Sequence, residues 1–419
     1  FMEIYNSIKN NDFESFKNLV SSMTNLETIQ YDISYIDYGF YKRLMNRENV
    51  PILHLLASLN YIDFFQYLHQ EKQMSLKQPD ENKYLPLHYA CHSGSTEIAL
   101  YILKEDPEES RYHQDGPERL PLLYAASYGG KLEIVKGLLS SGAKITDPWI
   151  DEFELLTNAK YWPDVLSFLL SQCSPNAYKN SNGITLLMNF LFNKCSLKSI
   201  EIVYRGIEDL KSHFYDRSGY HSIFELAMNI SNKYLKDFIL KIIDDAIKFN
   251  LSIEPPQSDD PNKFNYGACY WICNFLDLDI AKKVIKTKDF DINRFNRDFV
   301  LGPTVMVESK DKNVIPMLEL LLENGFDINK RYNLNSPTLL ESFICSISKN
   351  YSVIEFLVKY GADINALHSR QKDKNGKPMT LANYIKEAES EGKSARHGIV
   401  DSKSSSSSKI RHFLPSMWI

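Results

Sequence analysis

The first residues to read for chemistry are His54 and His88, which recur 34 residues apart, and the adjacent pair Cys91-His92. Repeated histidines suit a metal, and a thiol beside an imidazole suits a cysteine nucleophile with its base. A thiolate needs an electropositive, accessible setting, which the apolar run Leu87-His88-Tyr89-Ala90-Cys91 does not supply. Cys269 and Cys273 stand four apart, so a helix would put both on one face. Zinc would require two more ligands at suitable spacing, and none stands nearby. The phosphate-cradling G-x-x-x-x-G-K-[ST], the dinucleotide fingerprint G-x-G-x-x-G, H-E-x-x-H and G-x-S-x-G are all missing. The expectation is therefore no catalytic residue, no cofactor and no metal.

Composition narrows the classes further. The 419 residues are 43% hydrophobic and 24% charged, values ordinary for a folded chain, with a formal net charge of -5. Affinity for nucleic acid rests on clustered Lys and Arg neutralising phosphates, so no nucleic-acid partner is expected. No apolar run reaches the roughly 18 to 20 residues that span a bilayer, and Phe1-Met2-Glu3-Ile4-Tyr5 lacks the basic and apolar regions of a secretory signal. Six scattered cysteines within apolar patterns fit free thiols in a reducing compartment. A soluble cytoplasmic or other intracellular monomer is expected.

The elements that position these residues repeat. Phe290-Asp291-Ile292-Asn293, Gly325-Phe326-Asp327-Ile328-Asn329 and Gly361-Ala362-Asp363-Ile364-Asn365 recur every 36 residues. Earlier, Leu85-Pro86-Leu87-His88-Tyr89-Ala90-Cys91 returns 35 residues on as Leu120-Pro121-Leu122-Leu123-Tyr124-Ala125-Ala126. Each leads through glycine (Gly94; Gly129-Gly130) into a second apolar stretch that begins at Glu97 or Glu133. Apolar spacing at i, i+3, i+4 and i+7 makes both halves amphipathic helices. Gly142, Gly325 and Gly361 fall where a helix ends in a left-handed residue. The unit is helix, turn, helix.

These segments resemble the ankyrin-repeat family, whose repeats run T-P-L-H-x-A-A-x-x-G-H-x-E-[IV]-V-x-x-L-L-x-x-G-A-D-[IV]-N. Pro86-Leu87-His88, Ala125-Ala126, Glu133-Ile134-Val135 and Gly361-Ala362-Asp363-Ile364-Asn365 match residue for residue. The resemblance implies an all-α solenoid of about nine units with short finger turns, over residues 46–386. Residues 1–45, with Ile4, Ile8, Phe13, Phe16, Leu19 and Val20 on one face, are expected to cap it. Stretches 150–177 and 251–262 depart from the pattern and are where the stack is expected to bend, break or host an insertion.

The resemblance also assigns roles. His54 and His88 take the position where the family's imidazole bridges neighbouring turns, and Cys91 replaces the second motif alanine, facing the core. The positions that follow P-L-H and A-A face a concave groove, which assigns Tyr89, His92, Ser93, Tyr124, Ser127 and Tyr128 to a protein partner. Tyr suits that role, offering contact area and a hydroxyl at little entropic cost.

Residues 387–419 change character. Glu387-Ala388-Glu389-Ser390-Glu391 is acidic, Ser402 to Ser408 is nearly all serine, and the segment closes on Phe413-Leu414-Pro415-Ser416-Met417-Trp418-Ile419. A flexible tail is expected. It resembles the C-terminal translocation signals of type IV secreted bacterial effectors, a group in which ankyrin repeats are common, so delivery into a host cell to engage a host protein is the finer expectation. Two rivals stand beside the scaffold reading: an enzyme with a small hydrolase or transferase site in the irregular central region, and a structural component of a large cytoskeletal assembly.

Overall fold

The computed structural model describes residues 2–21, 23, 26, 30–31, 50–111, 121–148, 150–181, 184–207, 222–229, 235–254, 267–294, 302–331, 333, 336–346, 350–373 and 375–390. The chain divides into two compact units, Phe1–Glu208 and Asp209–Ile419. Both are built from helix pairs, as the all-α solenoid reading expects.

In the first unit the helices are α1 (Met2–Lys9), α2 (Phe13–Ser21), α3 (Ile52–Leu59), α4 (Ile62–Gln70), α5 (Pro86–Ser93) and α6 (Thr96–Glu105). They continue with α7 (Pro121–Tyr124), α8 (Leu132–Ser140), α9 (Glu152–Asn158), α10 (Pro163–Leu170), α11 (Leu186–Phe192) and α12 (Leu197–Gly206). A two-residue antiparallel bridge joins β1 (Gln30–Tyr31) to β2 (Val50–Pro51).

The second helix of each pair buries the same stripe. Phe64, Phe65 and Leu68 of α4 correspond to Ile98, Ala99 and Ile102 of α6, Ile134, Val135 and Leu138 of α8, and Val165, Leu166 and Leu169 of α10. An i, i+1, i+4 stripe covers one side of a helix, so each pair hides its apolar side only against its neighbours. The first helices are enclosed almost all round: every residue of α3 from Ile52 to Ser58 and of α5 from Pro86 to His92 is buried. At the N-terminal end, Phe13 and Phe16 set their rings on Phe64, with centroids 5.1 and 4.9 Å apart, so α2 covers the flank of α4.

The stretch 150–177 does not break the stack. Asp151 caps α9 by accepting the Glu154 N–H, Pro163 opens α10 at the position where its missing N–H costs nothing, and α10 packs between α8 and α12. The family's opening motif is absent here, but capping chemistry and the buried stripe place a helix pair in register without it.

In the second unit the pairs are α13 (Ile223–Asn229) with α14 (Lys236–Lys248), and α15 (Ala268–Phe275) with α16 (Leu278–Val284). A single 3-10 turn (Gly302–Met306) precedes α17 (Val314–Glu323), and α18 (Leu339–Ile344) precedes α19 (Tyr351–Lys359). Antiparallel β3 (Leu367–Lys372) and β4 (Pro378–Thr380) form a hairpin, paired Leu367 to Thr380 and Lys372 to Pro378, and α20 (Leu381–Ser390) follows. Pro378-Met379-Thr380 is thus strand, and the helix begins only at Leu381. Of the polar stretch 251–262, residues 255–262 lie outside the described residues, as do residues 391–419 of the tail.

The Asp-Ile-Asn recurrence has a physical cause. Asn293 donates from Nδ2 to the Gly325 carbonyl (3.0 Å) and accepts the Asp327 N–H (2.8 Å). Asn329 does the same one repeat later with Gly361 (3.0 Å) and Asp363 (2.8 Å). One amide side chain thereby satisfies a donor and an acceptor of the next turn, which would otherwise face solvent or go unpaired. Gly142, Gly325 and Gly361 have φ of +113°, +90° and +93°, the region expected of them.

Candidate protein-interaction surface

The inner helices of the first unit carry a ladder of rings. His54 meets Tyr89 edge-on (centroids 5.0 Å), and Tyr84 meets both His88 (5.6 Å) and Tyr124 (5.7 Å). Tyr124 in turn lies 6.2 Å from His92, whose ring stacks on Tyr128 at 4.8 Å and 29°. Edge-to-face and offset contacts of this kind add about 0.5–1.5 kcal/mol each beyond burial.

The sequence assigns Tyr89, His92, Ser93, Tyr124, Ser127 and Tyr128 to an open groove, and the structure divides them. Tyr89 (1% exposed), Tyr124 (4%) and His92 (8%) are enclosed. Ser93 is exposed, and Ser127 and Tyr128 are half-buried. Tyr89 is enclosed because its hydroxyl donates to Asp80 Oδ2 (2.7 Å), while Asp80 Oδ1 accepts the N–H groups of Asn82 (2.9 Å) and Tyr84 (2.8 Å). The turn before α5 is thus tied to that helix. Burial and the Asp80 carboxylate both push the Tyr89 phenol far above its ordinary value. Burial alone lowers His92 to about 4, so it is neutral at pH 7. These three rings form a floor, and the surface above it is Ser93, Ser127, Tyr128 and the half-buried Tyr84.

The end of α7 is irregular in a way that was visible in the spacing. Pro86 and Pro121 are 35 apart, but the helix-ending glycines Gly94 and Gly130 are 36 apart. The extra residue is absorbed as a single π turn over Ala125–Gly129, closed by Gly130 N–H on the Ala125 carbonyl (3.0 Å). The turn includes Ser127 and Tyr128 and brings Gly129 against the preceding repeat, where an added Cβ would lie 2.1 Å from the Cys91 carbonyl oxygen. Trp162, from the atypical repeat, donates its indole N–H to the Ser127 carbonyl (3.1 Å) and covers Gly130.

The other chemical candidates find structural partners. His54 Nε2 contacts the Tyr84 carbonyl at 2.9 Å, bridging one turn to the next, and burial lowers it to about 4. His88 Nδ1 accepts the Leu85 N–H (3.0 Å) within its own helix. Burial, with the nearby Glu109 carboxyl, drives the Cys91 thiol far up, which removes it as a nucleophile. The Cys269 thiol is raised by its hydrogen bond with the free Cys273 thiol and by burial. Among the described residues no group of three or more His, Cys, Asp or Glu is placed to hold a metal ion. In the stretch 150–177, burial and Glu152 raise the Cys173 thiol to about 12. A shallow depression of about 450 Å³ beside α20, lined by Asp373, Met379, Asn383 and Lys386 among others, offers no Cys or His. No helix among the described residues is long and apolar enough to cross a membrane.

Glu109 is unusual. It sits in the 3-10 turn Pro107–Arg111, is 2% exposed, and neither carboxyl oxygen has a hydrogen-bond partner among the described residues. Burial, then Asp106, raises it to about 8 against the opposing pull of Lys77.

A family model for ankyrin repeats matches the chain in three copies, over residues 5–112 and 53–148. Residues 5–148 are therefore ankyrin repeats. The matched span contains the ring ladder and begins within the segment read as an N-terminal cap. Ankyrin repeats are in general protein-interaction modules rather than enzymes. The chain is similar to the Ankyrin repeat and KH domain-containing protein mask-1 of Caenorhabditis elegans, 23% identical over 343 residues, which cover 78% of this chain and 12% of that protein. It is similar also to the CRISPR-associated protein MJ1674 of Methanocaldococcus jannaschii, 22% identical over 327 residues, which cover 68% of this chain and 51% of that protein. The chain therefore spans from an eighth to about half of the length of these curated relatives.

Proposed function

We propose that the protein is a scaffold that binds a partner protein on the inner-helix face of its first unit, with Tyr128, Ser127 and Ser93 as the contact edge and Tyr89, His92 and Tyr124 as the rigid floor beneath it. The observation that carries this reading is the His92–Tyr128 stack, which fixes a half-buried tyrosine at the surface and so reduces the entropy lost on binding. Interface energy concentrates in a few such anchors.

The experiment is affinity purification with the full chain and with Tyr128→Ala, followed by titration of the recovered protein in purified form. Loss of one specific partner by a variant that still melts like the parent supports the assignment. Unchanged affinity moves the site elsewhere.

The finer reading, delivery into a host cell to engage a host protein, is part of the proposal on sequence grounds alone. Comparing translocation of the full chain with one ending at Lys386 tests it; equal delivery, or none from either, refutes it. A monomeric state belongs to the same proposal and is read by light scattering.

A further inference from the structure

Beyond the ladder, the first unit carries a second aromatic series. Among the described residues, Tyr161 and Phe192 share the highest exposure of any large apolar side chain, 55% each. Both stand where the first helix of a pair ends: Tyr161 closes the 3-10 turn Ala159–Tyr161 that continues α9, and Phe192 is the last residue of α11. Half-buried Tyr128 lies at the same end of the preceding repeat, in the π turn after α7. These elements are consecutive in the stack, since the π turn packs against α9 and its 3-10 turn, and α9 packs against α11. Single exposed apolar residues are common, whereas a ring at the same end of each of three successive repeats makes a row. Its backbone is held in place. The Trp162 indole N–H donates to the Ser127 carbonyl (3.1 Å), the Ser199 hydroxyl donates to the Lys160 carbonyl (2.8 Å), and the Lys160 ammonium lies 5.2 Å from the Tyr161 ring centroid. Beside Phe192, Asn193 closes α11 by donating from Nδ2 to the Asn189 carbonyl (2.8 Å).

We propose that Tyr128, Tyr161 and Phe192 together seat a proline-rich segment of the partner in the polyproline II conformation. This rests on the binding face proposed above, which it extends by two repeats and to which it gives a class of ligand. A rigid row of rings loses little freedom when a chain lies along it. Proline suits such a row, because its ring is apolar and its backbone is already ordered before binding.

The repeat spacing selects the conformation. Packed helices lie about 8–10 Å apart, so the rings of successive repeats are separated by about that distance along the stack. A polyproline II chain has three residues per turn and rises about 3.1 Å per residue, so every third side chain returns to the same side after about 9.3 Å. Side chains on one face of a β-strand recur about every 6.6 Å and fall out of step at the second ring. An α-helix comes close, with seven residues covering about 10.5 Å, but its carbonyls are committed to its own hydrogen bonds. Polyproline II makes no internal hydrogen bonds, so its carbonyls can accept from the phenol hydroxyls of Tyr128 and Tyr161.

The test is selection from a random hexadecapeptide library displayed on phage, with the full chain as bait, followed by fluorescence titration of the most enriched peptide. The titration compares the parent, Tyr128→Ala and the double variant Tyr161→Ala/Phe192→Ala, whose exposed positions leave folding intact. The expected result is proline recurring every three residues among the enriched peptides, and binding weaker by roughly tenfold or more in the double variant. A seven-residue recurrence, no recurrence, or no enrichment overturns the proposal. A peptide that binds Tyr128→Ala weakly, but the double variant as tightly as the parent, removes the extension and leaves the binding face standing. Equal binding by all three proteins removes both.

Discussion

The imidazole of His92 and the phenol of Tyr128 are stacked across a repeat boundary, 4.8 Å apart and 29° from parallel. One ring is enclosed and the other half-exposed, so the pair joins the core of one repeat to the surface of the next.

Changing the two ends of the ladder should therefore have opposite consequences. Tyr128→Ala should weaken partner binding with little change in melting. Tyr89→Ala should cost about 3–5 kcal/mol of stability, since it empties an enclosed site and strands Asp80. Tyr89→Phe should cost about 1.5–3 kcal/mol, the range for a hydrogen bond to a charged group. Denaturant titration beside a binding isotherm separates the two effects, and comparable unfolding by all three variants would contradict this division.

Gly129→Ala should destabilise the first unit by about 2–3 kcal/mol, because the added carbon collides with the Cys91 backbone rather than a yielding side chain. Thermal melts check this, and a neutral result would mean that the π turn can relax to an ordinary helix.

Asn329→Ala removes both bonds to the following turn and should cost about 1–2 kcal/mol. Hydrogen exchange gives a local readout: the Asp363 amide should exchange faster, while amides of α17 keep their protection.

Glu109 sets a pH dependence of known sign. Its folded-state value near 8 lies above the ordinary 4.5, so the folded chain holds a proton that the unfolded chain has released. Its stability contribution is complete below pH 4.5 and falls as pH rises to about 8. Glu109→Gln should match the parent near pH 4.5 and be more stable at pH 9, by on the order of 5 kcal/mol. His54 and His92, both lowered to about 4, work the other way: their contribution is complete above pH 6.5 and declines from there to pH 4. Melting curves of parent and variant across pH 4–9 test both.

Much of the architecture is legible because repeat periodicity is carried by spacing. The 36-residue return of Asp-Ile-Asn encodes the amide bridges, and the positive φ of Gly142, Gly325 and Gly361 follows from where apolar stripes end. Exposure at the ladder was less legible. Whether Tyr89 faces solvent depends on Asp80, nine residues upstream in a turn with no periodic signal. The helix pair within 150–177 was hidden for the same reason, since caps and a buried stripe replace the motif there.

The asparagine bridges point one way along the chain. Asn293 depends on the backbone at 325–327, and Asn329 on that at 361–363. Each turn thus leans on its successor, like the stones of a half-arch, and the hairpin end is the abutment. Shortening the second unit from that side should loosen turns that were never cut.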